Sequence, residues 1–295
     1  MKRASLGKII FFTLILIAAL ILIKFYNINS ISIEKMKEIQ HVVDETSIGK
    51  IQVNWKDVAA IASVDYSLDT MTKQEIENTA KLFIEKKKTL YRLKEIDEVI
   101  EALAYTEKQK KEVHVYLKYL NDEGTGLNIG NKDSLQVSFI SSIKGGAIDN
   151  YKEYGILPSI TIAQAILESG WGKSELSVKY NNVFGIKSHN WDGKSVNIRT
   201  SEFHEENIQA DFRVYDTISD SLQDHSVFLT ENPRYEKNGL FSSKTYTEQA
   251  TALQEAGYST LENEAGEKIY GALLIELINQ YQLQLIDSEA QLGYS

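Results

Sequence analysis

The feature that most constrains this chain is an apolar run from Ile9 to Ile23, broken only by Thr13 and followed by Lys24, Phe25 and Tyr26. It has no polar face, so it does not suit a helix lying on the surface of a water-soluble core. With its flanks, the run approaches the roughly 20 residues that cross a bilayer. Its clean centre is shorter, which keeps a cleaved signal peptide as the competing reading. Lys24-Phe25-Tyr26-Asn27-Ile28 offers no small-x-small cleavage pattern, whereas Lys24 can snorkel and Tyr26 suits the interface. We therefore expect a single-pass anchor over residues 9–26. Residues 1–8, with Lys2, Arg3 and Lys8, would lie in the cytoplasm, and everything after about residue 27 outside the cell membrane.

Composition bounds what the exposed part can be. The chain has 295 residues, 43% hydrophobic and 25% charged, with two prolines, which is enough for two modest domains with their own cores. The formal net charge is -9, and the first 26 residues carry four basic groups and no acid, leaving about -13 for the rest. A body so acidic has no basic footprint for nucleic acid or for anionic lipid, so a polymer would be held by a groove. The absence of cysteine removes disulfides, thiolate metal sites and a cysteine nucleophile. Five scattered histidines show no ligand spacing, so neither a metal nor a cofactor is expected.

Residues 27–135 read as helical with few breakers. Val58 to Ala62 starts one helix. Thr72-Lys73-Gln74-Glu75 is a capping-box pattern opening another, with Ile76, Ala80 and Ile84 at four-residue spacing. No chemistry is visible there; a spacer, a partner-binding module and part of a wall-binding groove all remain open. A second unit spans 136–287, with 288–295 as a C-terminal tail. Phe139 to Tyr154 reads as a helix ended by Gly155-Ile156-Leu157-Pro158.

Chemistry concentrates after that break. Pro158-Ser159 opens an almost wholly apolar helix through Leu167, which ends at Glu168-Ser169-Gly170, with Gly170 as a left-handed stop. Glu168 thus sits at the carboxyl end of a buried-looking helix. The partial negative charge there and an apolar setting both raise a carboxyl pKa, as protonation of a glycosidic oxygen requires. An isolated glutamate in a last turn is more often simply exposed. Ser195 to Phe203 and Ile208 to Tyr215 alternate apolar and polar residues around His204-Glu205-Glu206-Asn207, the pattern of a β-hairpin. Val196, Ile198, Thr200 and Glu202 share one face, so Glu202 can overhang a groove or merely end the strand.

Several segments resemble the glycoside hydrolase family 73 glucosaminidases. They are Ala165-Ile166-Leu167-Glu168-Ser169-Gly170-Trp171-Gly172, Asn182-Val183-Phe184-Gly185-Ile186-Lys187, Phe212-Arg213-Val214-Tyr215, Asn232-Pro233-Arg234-Tyr235 and Ala256-Gly257-Tyr258-Ser259-Thr260. All five occur in the family's order, over about residues 137–287. The resemblance implies a mainly α, lysozyme-like α+β catalytic domain with a small β-hairpin lobe; the helical unit and the membrane helix that precede it lie outside the resemblance. It maps the general acid onto Glu168 and the second carboxylate, from a Thr-x-Glu pattern, onto Glu202 beside Thr200. The tyrosine of a Gly-Tyr-Ala-Thr motif maps onto Tyr258, with Ser259 in place of the alanine. Asn182, Phe184 and Tyr235 become candidates for contacting sugar, although Phe184 suits a core equally well. Trp171 and His225 read as packing residues.

The expected reaction is hydrolysis of the β-1,4 bond between N-acetylglucosamine and N-acetylmuramic acid in peptidoglycan glycan strands. Glu202 could activate water, giving inversion, or the substrate's 2-acetamido group could attack, giving retention. A muramidase or lytic transglycosylase on a related fold and an inert membrane-bound scaffold are the alternatives. The anchor would bring the enzyme to new strands near the membrane and leaves room for an integral-membrane protein partner.

Overall fold

The computed structural model of the chain describes residues 31–122, 135–200 and 208–293. Among the described residues no helix is long and apolar enough to cross a membrane; the expected anchor at 9–26 lies outside them. The described chain is mostly helical, with two small antiparallel hairpins. The first half contains α1 (Ile33–Ser47), α2 (Trp55–Asp65), α3 (Lys73–Lys81), β1 (Ile84–Lys87), β2 (Leu90–Leu93), α4 (Ile96–Ala102) and α5 (Glu107–Asp122). The second contains α6 (Leu135–Tyr154), α7 (Pro158–Ser169), α8 (Glu175–Tyr180), β3 (Ser195–Thr200), β4 (Ile208–Arg213), α9 (Ile218–Glu231), α10 (Pro233–Lys237), α11 (Tyr246–Glu255), α12 (Tyr270–Tyr281) and α13 (Gln284–Leu292).

In the first half α1, α2, α3 and α5 bury Val43, Val58, Ile61, Ile76, Val113 and Leu120 in one apolar cluster. The capping box forms: Glu75 accepts from the Thr72 backbone N–H, and Thr72 accepts from that of Glu75. The four-residue spacing beyond it does not continue the helix. α3 stops at Lys81, and Ile84 pairs with Leu93 across a hairpin whose turn has Lys88 at φ 56°. The expectation of helices alone is corrected here. A four-residue spacing and a two-residue alternation both permit Ile84, and the pairing of Ile84 with buried Leu93 decides for the strand.

The second half is built around α7. Ile160, Ile162, Ala163, Ala165 and Ile166 are buried on it, and α6, α11, α12 and α13 pack against it. Its start is not capped by its own sequence, as Pro158-Ser159 suggested. Pro158 is the first helical residue, and Asp287 of α13 accepts from the Ser159 backbone N–H at 2.8 Å and from its hydroxyl at 2.5 Å. Gln249 of α11 accepts from the Leu157 N–H at 2.9 Å. Orphan donors at the helix start are thus satisfied from two distant elements. The expected tail at 288–295 is largely α13. Ser288, Ala290 and Gln291 are buried, because α13 packs on α7 on one side and places Leu285 and Leu292 against the first half's core on the other.

The seam between the halves also carries polar contacts. Tyr246 donates to Asp44 at 2.8 Å, Gln40 donates to Asn279 at 2.8 Å, and the Trp55 indole donates to Gln282 at 2.6 Å. Burial pushes the Asp44 carboxyl up to about 6 against the bonds that Tyr246 and Gln52 donate to it.

Candidate active site

The C-terminal end of α7 positions the site. Gly170 ends the helix in the left-handed region, at φ 56° and ψ 53°, a conformation that costs glycine no Cβ clash. The chain stays left-handed through Trp171 and Gly172, and a Cβ on Gly172 would meet the Phe139 ring at 2.7 Å. Trp171 lies edge-on to Tyr281, ring centres 4.8 Å apart, and to Phe139 at 6.3 Å. The loop behind Glu168 is therefore wedged in place, and the glutamate projects from a rigid support.

Glu168 opens into a cleft of about 660 Å³ lined by Phe184, His225, Phe228, Arg234, Tyr235 and Tyr258, with Lys187 and Arg213 on the hairpin side. Its side chain is exposed to the cleft, yet the walls crowd its carboxyl. That desolvation raises its pKa above the ordinary glutamate range, opposed by a hydrogen bond from Tyr270. The Tyr270 hydroxyl donates to Glu168 Oε1 at 2.9 Å and accepts from Gln164 Nε2 at 3.2 Å. Among the described residues Oε2 has no hydrogen-bond partner, so this oxygen is the one left for a proton directed into the cleft.

Tyr258 stacks on Tyr270, ring centres 5.2 Å apart and planes 23° from parallel. Burial and the neighbouring Glu168 carboxylate raise both phenols well above 10, so both remain protonated donors. Behind Tyr258 lies His225, fully buried and stacked on Phe184 at 3.8 Å, with Nε2 3.1 Å from the Tyr258 hydroxyl. Burial drives the imidazole pKa down to about 3, so the ring is neutral. Its Nδ1 has no partner among the described residues. An unpaired buried acceptor costs less than an unpaired buried N–H, which puts the proton on Nε2. His225 then donates to Tyr258, whose own proton points away from it.

The sequence-derived candidates divide on this geometry. Glu168, Tyr258 and Phe184 line one cleft. Tyr235 is buried in its wall, its hydroxyl bound by Arg234 at 2.7 Å and its ring covered by that guanidinium at 4.7 Å. Asn182 is a buried backbone bracket: its amide donates to the Ile186 and Arg213 carbonyls at 3.0 and 2.9 Å, and its oxygen accepts from the Ile186 N–H. Thr200 ends β3 opposite Ile208, while Glu202 lies outside the described residues. His225, read as simple packing, supports the cleft tyrosine. Tyr270 and Gln164 were missed. Gln164 did carry a signal, being a polar residue one turn before Glu168 on an otherwise apolar helix.

The Phe212–Tyr215 motif holds the hairpin base: Arg213 binds Asp224 of α9 through two contacts of 2.8 Å, and Tyr215 donates to the same carboxylate at 2.5 Å. Among the described residues no group of three or more acidic or histidine side chains could hold a metal ion.

A family model described as mannosyl-glycoprotein endo-β-N-acetylglucosaminidase matches residues 144–283, the stretch that contains the cleft. This segment, residues 144–283, thus matches the glucosaminidase family. It is similar to the exo-glucosaminidase LytG of Bacillus subtilis, 39% identical over 161 residues that cover 52% of this chain and 54% of the relative. A probable N-acetylmuramidase of Lactococcus lactis is 37% identical over 53% of this chain and 36% of its own length. The chain thus spans about half, or less, of the curated relatives it matches. Among solved structures, the catalytic domain of the Listeria monocytogenes autolysin Auto is 30% identical with a TM-score of 0.47, covering 62% of this chain and 98% of that one.

Proposed function

We propose that this chain hydrolyses peptidoglycan glycan strands at the β-1,4 bond on the glucosamine side, with Glu168 as general acid. The observation that carries this reading is the Glu168 carboxyl at the end of α7, its pKa raised by the cleft walls and one oxygen held by Tyr270. A carboxyl protonated toward neutral pH can give its proton to the leaving glycosidic oxygen from Oε2. Tyr258, oriented by His225, supplies a donor on the same wall, suited to a sugar oxygen or acetamido carbonyl. The nucleophile is water activated by Glu202 across the ring, or the substrate's own acetamido oxygen, and the anomeric configuration of the first product separates the two. The similarity to an exo-glucosaminidase and to a probable muramidase supports strand hydrolysis as the class of reaction.

On this reading the catalytic half is a lysozyme-like fold. Residues 9–26 anchor it at the outer face of the membrane, beside newly made strands and any integral-membrane partner. The second reading is a muramidase using the same acid, favoured by the lactococcal names. Digestion of purified peptidoglycan, borohydride reduction and mass spectrometry of the new ends test both. Reduced glucosamine ends are expected from the native chain, and none from Glu168→Gln. Reduced muramic ends would transfer the proposal to the second reading, and products from the variant would remove Glu168 from its role.

A further inference from the structure

At the other end of α7 the two halves meet around a second concavity of about 560 Å³. One wall is the β1–β2 hairpin, and the other is formed by Tyr151 of α6, Gln291 of α13 and Ser242 and Lys244 before α11. In a chain of net charge -9, residues 84–94 carry five basic residues (Lys86, Lys87, Lys88, Arg92, Lys94) and one acid. Arg92 is committed to Glu85 and Glu98. The charges left facing the groove are Lys50, whose ammonium rests on the Thr46 carbonyl, Lys87, 3.5 Å from Glu85, and Lys244, without an ion pair among the described residues. No acidic side chain lines the groove among those residues. Tyr91 and Tyr151 also line the groove, and Leu90, 70% exposed, offers an apolar contact at the turn.

We propose that this groove is a binding site for the carboxylate-bearing peptide stems of peptidoglycan, built only when the first half docks on the catalytic half. Ammonium groups on both walls match separated carboxylates, while the tyrosines and Leu90 cover short aliphatic side chains. A concave seam with cations on both sides suits a narrow chain, whereas a flat bilayer could reach only its rim. The site also gives the first half a role in substrate binding. Asp287 of α13 ties the groove's side of the molecule to the start of α7, and Glu168 is near its end, so about 15 Å of helix separates the two. A stem held here therefore belongs to a stretch of strand away from the bond being cut.

The proposal rests on peptidoglycan being the substrate, but its test needs no turnover. Calorimetric titration of the full chain in detergent, bearing Glu168→Gln, would use free stem peptide released by an amidase and the same peptide with its carboxyls amidated. The native groove should bind the free peptide, and the amidated one at least about tenfold more weakly. Lys87→Glu with Lys244→Glu should cost about tenfold or more, and Lys87→Gln with Lys244→Gln a smaller factor, with melting temperatures near that of the parent. No binding of the free peptide, equal binding of both peptides, or undiminished binding by the folded charge variants would each overturn the site. If the peptide binds while the native chain cleaves no strands, the groove stands and the catalytic reading fails.

Discussion

At its N-terminal end α7 meets the Asp287 carboxyl, and at its C-terminal end it carries Glu168; burial raises the pKa of both. Asp287 is enclosed, pushed up to about 8, and spends both oxygens on Ser159, one on the backbone N–H and one on the hydroxyl. Glu168 faces a cleft and has one oxygen tied to Tyr270. Two carboxyls at opposite ends of one helix are thus both raised by desolvation and differ in satisfaction. The fully partnered one holds the fold together, and the half-partnered one is free to transfer a proton. A perturbed carboxyl alone is therefore poor evidence of catalysis.

The comparison breaks most visibly at Glu168. Glu168→Gln should lower kcat by about 10² to 10⁴-fold in a reducing-end assay while leaving the thermal midpoint near native, since no structural bond depends on the ionisable group. Asp287→Ala should do the reverse. It strips the start of α7 of an acceptor for one N–H and one hydroxyl, and should cost about 2–4 kcal/mol in denaturant unfolding, with a far smaller effect on kcat. If Asp287→Ala abolished activity in a fully folded protein, the division between the two ends would be lost.

Asp287→Asn sharpens the contrast by its pH dependence. Between about pH 4 and 8 the folded chain keeps a proton on Asp287 that the unfolded chain has released, so this group's contribution to stability falls as pH rises through that window. The slope from one such carboxyl is at most about 1.4 kcal/mol per pH unit. The asparagine variant should remove that share, leaving what Asp44 (up to about 6) and Asp57 (up to about 7) contribute with the same sign and what neutral His225 contributes with the opposite sign below about 6.5. Unfolding curves collected across this range would check it, and an unchanged slope would count against a protonated Asp287.

Local patterns carried much of this. Glu168 at a helix end, the left-handed Gly170 and the hairpin around Ser195 and Ile208 follow from periodicity and turn chemistry within a dozen residues. What escaped depends on distant partners. Tyr270 reaches Glu168 across 102 residues and Asp287 reaches Ser159 across 128, and nothing in either neighbourhood announces the other. The bracketing role of Asn182 was hidden for a related reason. A polar residue within a matching motif suggests substrate, but only the fold reveals that its amide is consumed by backbone groups. The β1–β2 hairpin lay hidden because its first apolar residue also fitted a helical repeat.

Site-resolved titration of the Glu168 side-chain carboxyl carbon by NMR tests the central claim most directly, with Tyr270→Phe measured alongside. The native carboxyl should titrate above the ordinary glutamate value of 4.5. Because the Tyr270 hydrogen bond favours the ionised form, its removal should move the midpoint higher still, and the alkaline limb of kcat/KM should move with it. A native midpoint at or below 4.5, or a downward shift in Tyr270→Phe, would contradict the account of how this cleft prepares its acid.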